Sequence, residues 1–455
     1  MQQHDQKQEY LEQVTTQIRC KKARATVAEE ISSHIEDQKA AYIEEGREEE
    51  SALAMAIEQM GNPAEVGRQL NKIHKPKTAW RILLLVIILC SMGIMAQISI
   101  NQFMIANGNS STINIGKHIE GMVIGIAFML LMYFTDYSIL GRYPKIIWMI
   151  LLAAVVAYAP FGPRVNGQLF YLHAYAMLFL PAFGGIVYAY RKKGYLGILK
   201  CLLFCLMVAL VEINYISQCY VYLGLVLSSL IILSIAILMN WFGTSKWKSL
   251  AVVWGWSPTI ILTAIITNTY LLSSYQTTRL QNLFQVILHP DLYPEGYQMN
   301  VIRQILSGAK LFGESPNLSV ESQSLGYITN LNSDYILTFV IEKFGLAAGI
   351  GVIALFTIFI LALIRTSLVQ KKYLGKFVGI GCTMVFAMQG GIYIISNLGF
   401  RLISQVNLPF VSYGRTSLIV NFIVLGVMLS VFRNTSIREE VPYQQKFRVN
   451  MDRIK

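Results

Sequence analysis

Apolar and polar positions divide this chain sharply. Up to residue 78 they alternate with helical spacing: Tyr10, Val14 and Ile18 share one face, as do Val27, Ile31 and Ile35, then Leu53, Ile57 and Met60, then Val66, Leu70 and Ile73. Such i, i+4, i+7 spacing predicts short amphipathic helices with a small core of their own. Beyond Arg81 the pattern changes to long apolar runs, at about 82–100, 119–134, 146–161, 169–190, 196–216, 220–240, 250–271, 335–364, 376–396 and 409–432. A helix needs about 20 apolar residues, in a range of about 17–25, to cross a bilayer. The second and third runs are short. The eighth is long enough for part of it to be tilted or to lie outside the membrane. The expected fold is therefore all-α: a polytopic bundle of about ten transmembrane helices behind a small soluble helical domain.

Between the first helices, Gly61-Asn62-Pro63-Ala64-Glu65 supplies a helix stop, an N-cap, a first-turn proline and an acid placed to close a capping box. His34 is expected to be packed or capping, because no second ligand stands at metal spacing. The expected domains are a cytoplasmic unit at 1–78, a membrane unit at 79–434 with a large outer loop at 273–334, and a basic tail at 435–455.

Composition agrees: 54% of residues are hydrophobic and 14% charged, where a soluble chain carries about 25% charged. The first twenty residues contain no apolar stretch of the signal-peptide kind, so the first run is expected to direct its own insertion. With the N-terminus inside, inner loops collect Arg142, Lys145, Arg191, Lys192, Lys193, Lys246, Lys248, Arg365, Lys371, Lys372 and Lys376, and the tail adds Arg433, Arg438 and Lys446. Outer segments hold only Lys117, Arg164, Arg279, Arg303, Lys310 and Arg401. This asymmetry predicts both termini in the cytoplasm and the long loop outside. The net charge of +12 is then a partner for anionic membrane lipids and gives no reason to expect nucleic acid. Cysteine and histidine spacing suggests no disulfide framework and no metal site.

Two places carry candidate chemistry. Leu408-Pro409-Phe410-Val411-Ser412-Tyr413-Gly414 stands at the mouth of the last run. Pro409 lacks an amide hydrogen and Gly414 tolerates unusual backbone angles, so a turn is expected. Non-helical backbone at membrane depth persists where it is packed in protein or lines a wet cavity. Asp334 stands directly before Tyr335-Ile336-Leu337-Thr338-Phe339. Its carboxylate has two readings, an N-cap or a partly desolvated general base. Glu342 and Lys343, deeper in the same segment, read as a partnered structural pair or as residues on a pathway.

These stretches resemble the SEDS family (FtsW/RodA/SpoVE) of bacterial membrane proteins. His289-Pro290-Asp291 with Gly296-Tyr297-Gln298 resembles the start of its large outer loop, and Ser307 to Gly313 its glycine-bearing middle. Asn332-Ser333-Asp334-Tyr335 through Ile341-Glu342-Lys343-Phe344-Gly345 resembles Thr-Asp-Phe…Glu-Glu-Leu-Gly. Asn397-Leu398-Gly399 with Leu408 to Ser417 resembles Asn-Ile-Gly…Leu-Pro-Phe-Ile-Ser-Tyr-Gly-Gly-Ser-Ser. Residues 1–78 are similar to permease prefix (HAAS-like) domains, which implies regulation or interaction; the alternative is a solubilising cap.

The resemblance implies a bacterial inner-membrane peptidoglycan glycosyltransferase that polymerises lipid II in division, elongation or sporulation, with a class B penicillin-binding protein as partner. It implies Asp334 as catalytic residue, Arg279, Gln298, Lys310, Asn397, Ser412, Tyr413 and Arg415 as substrate contacts, and Glu342, Pro409 and Gly414 as support. No cofactor is required, and a divalent cation is compatible with the chemistry. The alternatives are a catalytically impaired scaffold that recruits a penicillin-binding protein or envelope factor, and a transporter of lipid-linked precursor. The chain departs from the family pattern in its fourth run, where Phe179 to Ile186 lacks the usual Glu and Lys, around Gln218 to Gly224, where Pro-Asp-Leu-Gly is missing, and at Arg415-Thr416, where Gly-Ser is usual.

Overall fold

The four amphipathic stretches fold as α1 (Gln2–Thr16), α2 (Lys21–Glu44), α3 (Glu49–Met60) and α4 (Pro63–Ile73). Their apolar faces meet in one cluster, with Val14, Ile18, Val27 and Ile35 fully buried and Ile57, Met60, Val66 and Leu70 packed against them. Gly61 ends α3 at φ +81°. The Asn62 side chain accepts from the Ala64 amide at 2.9 Å, capping α4. The reciprocal bond expected of Glu65 is not formed among the described residues. His34 lies exposed on α2 instead of packed. Tyr10 donates to the Gly61 carbonyl at 3.2 Å, and burial raises its phenol above the ordinary value. On the surface Lys7 pairs with Glu36 at 2.6 Å, and that hydrogen bond holds the Glu36 carboxyl below its usual range.

The computed structural model describes residues 2–19, 21–73, 79–106, 114–158, 160–162, 164–165, 168–169, 171–215, 219–271, 289, 297–314, 330–370, 372–400 and 406–435. The chain falls into two compact units, the first holding residues 1–77 and 433–455 and the second residues 78–432.

In the second unit a helix forms over each predicted apolar run: α5 (Trp80–Ala106), α6 (Ile115–Phe134), α8 (Pro144–Tyr158) after a short α7 (Ser138–Arg142), α9 (Leu172–Ala176) continued by α10 (Phe179–Tyr190), α11 (Gly194–Tyr215), α12 (Cys219–Leu238) and α13 (Lys246–Leu271). After the outer-loop helix α14 (Tyr297–Ser307) come α15 (Ile336–Phe344), α16 (Leu346–Leu368), α17 (Tyr373–Asn397) and α18 (Arg415–Arg433). Among the described residues, six of these segments are long and apolar enough to cross a membrane and three more are shorter apolar helices. Exposed Leu84, Ile87, Met95, Val123, Leu131, Ile150 and Ile358 give the bundle an apolar exterior, the inverse of a water-soluble surface. One antiparallel pair, Arg164–Val165 with Gln168–Leu169, is the only strand structure among the described residues.

One run differs from expectation and another agrees with it. The eighth is broken at Gly345, φ +95°, which separates the short α15 from the full-length α16. The break is held by residues 310–313, since Leu346 N donates to Lys310 O at 2.9 Å, Ala347 N to Leu311 O at 3.0 Å and Gly313 N to Phe344 O at 3.1 Å. A Cβ on Gly345 would stand 2.6 Å from Leu311 O, so backbone passes over backbone there. The tenth run begins with the expected turn at 409–414, and its helix starts at Arg415.

Candidate functional site

The chain enters α15 through a tight turn. Ser333 N and Asp334 N both donate to Asn330 O, at 3.0 and 2.9 Å, and Asn330 takes the left-handed conformation (φ +63°) that asparagine tolerates. Asp334 emerges from this turn 6% exposed, its Oδ1 accepting from Ser333 Oγ at 3.0 Å. The cap position of α15 belongs to Tyr335, which makes no side-chain cap bond. The first free amides of the helix are met by α17 instead: Leu337 N donates to Tyr393 Oη at 3.2 Å and Thr338 N to Asn397 Oδ1 at 3.1 Å. The N-cap reading of Asp334 is therefore corrected, because another helix supplies the acceptors that its carboxylate would have provided.

Three successive carbonyls of this turn are each gripped by a distant element. Asn332 O accepts from Tyr413 N at 3.1 Å and from Gln97 Nε2 of α5 at 2.7 Å. Ser333 O accepts from Ser412 Oγ at 2.6 Å. Asp334 O accepts from Asn397 Nδ2 at 2.8 Å. The backbone below the carboxylate is thus tied to α5, to α17 and to the 408–414 turn.

That turn is itself fixed from several sides. Leu408 N donates to Ser412 Oγ at 2.9 Å. Phe410 adopts φ +67°, a strained value for an aromatic residue, while its ring is anchored among Phe359, Phe386 and Phe422 at centroid distances of 5.8, 5.6 and 5.2 Å. Pro409 is buried beside it. At Gly414 the missing Cβ leaves space for the Asn407 amide, which donates to Tyr413 O at 3.3 Å. The Tyr413 ring stacks on His118 of α6 at 5.7 Å and 19°. His118 is 1% exposed, and neither of its ring nitrogens has a partner among the described residues.

The predicted substrate contacts separate into groups. Asn397 and Ser412 join Asp334, but inside the protein. Asn397 is fully buried, and its amide also bonds Tyr393 O and Thr338 Oγ1. The Ser412 hydroxyl is used in both directions. In this structure both side chains bond inward and hold the turn. Tyr413 joins through its main chain and keeps its half-buried ring at the edge of the cluster. Arg415, the first residue of α18, is half exposed and pairs with Glu120 of α6 at 3.2 Å. Gln298 lies in the first turn of α14. Lys310 follows that helix, and no hydrogen bond among the described residues joins it to Asp334. Arg303 is held against Gly399 O at 2.9 Å and over the Phe400 ring at 5.1 Å. Arg279 and Arg401 lie outside the described residues. Glu342 is buried on α15, whereas Lys343 pairs with Glu314 at 2.7 Å; the expected Glu342–Lys343 pair is corrected, since adjacent helical residues do not face each other.

On the Asn407 side of the turn lies a cavity of about 10 Å³ lined by His173, Gln389, Asn407, Ser417 and Asn421 among others, room for about one water. Gln389 Nε2 donates to Asn421 Oδ1 across its wall at 3.0 Å.

The family profile described as "Cell cycle protein", FtsW/RodA/SpoVE, matches residues 79–437. The chain belongs to this family. A stretch of 161 residues is 25% identical to the probable peptidoglycan glycosyltransferase FtsW of Trichlorobacter lovleyi, covering 35% of this chain and 41% of that one. A stretch of 141 residues is 30% identical to the protein of the same name from Enterococcus hirae, covering 31% and 35%. The matches span about two fifths of these curated relatives. Among solved structures, a chain from "Structural coordination of polymerization and crosslinking by a peptidoglycan synthase complex" superposes with TM-score 0.61 at 17% identity, covering 79% of this chain and 98% of that one. An aspartate-to-alanine variant of the rod shape determining protein RodA of Thermus thermophilus superposes with TM-score 0.50 at 14% identity, covering 78% and 98%. These two likenesses establish the fold.

As an FtsW/RodA/SpoVE protein the chain is a multi-pass membrane protein, and its departure from the family pattern in the fourth run has a local explanation. Phe179 to Ile186 are all buried in α10. Phe179 and Phe183 pack on Trp148 at 5.1 and 6.0 Å. An apolar and aromatic helix fills this position without charges that would need partners. Sequence reasoning missed Gln97 and His118. The available signal was a lone amide inside the first apolar run and an imidazole at the head of the second.

Proposed function

We propose that this chain polymerises lipid II into glycan strands on the outer face of the bacterial inner membrane, with Asp334 as general base. The observation that carries the reading is the carboxylate itself: 6% exposed, at the head of a helix, on a backbone held by three other elements. A base must be fixed within hydrogen-bond reach of the hydroxyl it deprotonates, and a backbone tied at three consecutive carbonyls provides that fixation. The Asp334 carboxylate takes the proton of the acceptor sugar hydroxyl as its oxygen bonds the donor's anomeric carbon; the lipid diphosphate leaves with the electrons of the broken bond. Arg415, half exposed at the start of α18 and two residues after Tyr413, is the cation we assign to that diphosphate, because guanidinium donors match phosphate oxygens.

Family membership and the relatives' names support the activity. The excess of Lys and Arg on one set of loops supports cytoplasmic termini and an outer face for Asp334. A class B penicillin-binding protein is the proposed partner, and residues 1–78 the proposed regulatory module. The test is polymerisation of labelled lipid II by the purified full-length chain, alone and with such a partner. Glycan strands from the parent and none from Asp334→Asn are expected. Equal product from both removes Asp334 from the mechanism.

A further inference from the structure

We infer that Gln97, on the first membrane helix, is a positioning residue for Asp334. The inference rests on the glycosyltransferase reading for its kinetic arm and on geometry alone for its other arm. Gln97 is fully buried on a face otherwise made of Ile82, Val86, Leu89, Gly93, Ala96 and Ile100. An amide placed there is costly unless it bonds. Its Nε2 donates to Asn332 O at 2.7 Å across 235 residues of sequence, and the second lone pair of that carbonyl takes Tyr413 N at 3.1 Å. One oxygen, two residues before the carboxylate, thereby joins α5, the 408–414 turn and the aspartate turn.

The neighbouring face of α5 is shaped for this reach. Gly93 lies one helical turn before Gln97, and a Cβ there would stand 2.8 Å from Val411 O. The glycine lets the helix approach close enough for a side chain of glutamine length to reach Asn332. The amide orientation is fixed too, because turning it over would set carbonyl against carbonyl. Gln97 touches no reacting atom; it acts through the backbone that carries Asp334.

The test uses Gln97→Leu and Gln97→Glu in the full-length protein. A buried carboxyl is held neutral by desolvation, and its hydroxyl replaces the lost N–H donor. Gln97→Leu should lower the maximal polymerisation rate about 10-fold or more, with half-saturating lipid II within about 2-fold of the parent. Gln97→Glu should keep most of that rate near pH 6 and lose it as pH rises and the acid ionises. The titratable and charged groups on the surrounding elements, Asp334, His118, Tyr393, Tyr413 and the Glu120–Arg415 pair, are common to parent and variant, so an added alkaline loss belongs to position 97. Hydrogen exchange is read in parallel. Gln97→Leu should speed exchange at Asp334 and Tyr413, and Gln97→Glu should restore protection at pH 6. Equal loss of rate in both variants with no alkaline limb, or unchanged exchange in Gln97→Leu, overturns the assignment. A parent that makes no glycan strands removes the glycosyltransferase reading, and the exchange arm still decides whether Gln97 holds the turn.

Discussion

Replacing Asn397 by Leu tests whether the aspartate turn is held as described. The side chain is fully buried, and its amide makes four bonds, to Asp334 O (2.8 Å), Tyr393 O (3.0 Å), Thr338 N (3.1 Å) and Thr338 Oγ1 (2.9 Å). Tyr393 O stands four residues before Asn397 in α17 and keeps the helical amide. The Thr338 hydroxyl can rotate to another acceptor. Two groups are then stranded, the Asp334 carbonyl and the Thr338 amide. Each buried polar group left unmet costs about 1–3 kcal/mol, so the local loss is about 2–6 kcal/mol. Even the lower bound should accelerate exchange at the Thr338 amide about 30-fold, since about 1.4 kcal/mol is a factor of ten. Residue-resolved hydrogen exchange on the protein in lipid nanodiscs reads this directly. A Thr338 amide exchanging within about twofold of the parent would falsify the claim that α17 caps α15. As a control, Asn397→Asp keeps the acceptor for Thr338 and removes the amide donor to Asp334 O and Tyr393 O, of which Tyr393 O keeps its helical amide, so it should protect Thr338 while exposing the turn.

Asp334→Asn preserves size and should abolish polymerisation by about 100-fold or more while leaving the protein folded by exchange; residual activity above a tenth contradicts the assignment. Arg415→Gln should raise half-saturating lipid II, whereas Glu120→Gln should not, and neither should shift stability by more than about 1 kcal/mol because the pair is half exposed; thermal inactivation and kinetics separate the two effects. Gly345→Ala meets both a positive φ and main chain at 2.6 Å, so it should destabilise by about 1–3 kcal/mol or more and shorten the half-life on heating. Phe410→Ala removes a fully buried ring and should cost about 3–5 kcal/mol, read as a lowered midpoint of thermal inactivation.

The bundle was legible because crossing a bilayer imposes a length and an apolarity that few other structures need. Asp334 and the 408–414 turn were legible because proline, glycine and a lone acid are conspicuous beside apolar runs. The use made of each side chain was not. Ser412 and Asn397 are polar residues at the right places, and only the position of the 332–334 carbonyls shows that they bond inward. Gln97 acts 235 residues away from its own position, and no local periodicity carries that separation. The break at Gly345 was hidden for a related reason: apart from Glu342 and Lys343 the run around it is apolar, and the contact that sets the break comes from 310–313. The missing charges of the fourth run were visible, but their replacement by aromatic packing on Trp148 required the neighbouring helix.

The three carbonyl tethers also set an order of events during biogenesis. Their donors stand 235 residues before the turn in one case and 63 and 79 residues after it in the others, so the loops closed are long and of low local bias. A nascent chain that has inserted every earlier helix still lacks Ser412 and Tyr413. A chain halted before Leu408 would therefore hold most of its hydrophobic mass in the bilayer with its aspartate turn held from Gln97 and Asn397 alone, and arrival of Ser412 and Tyr413 is the step that completes the grip.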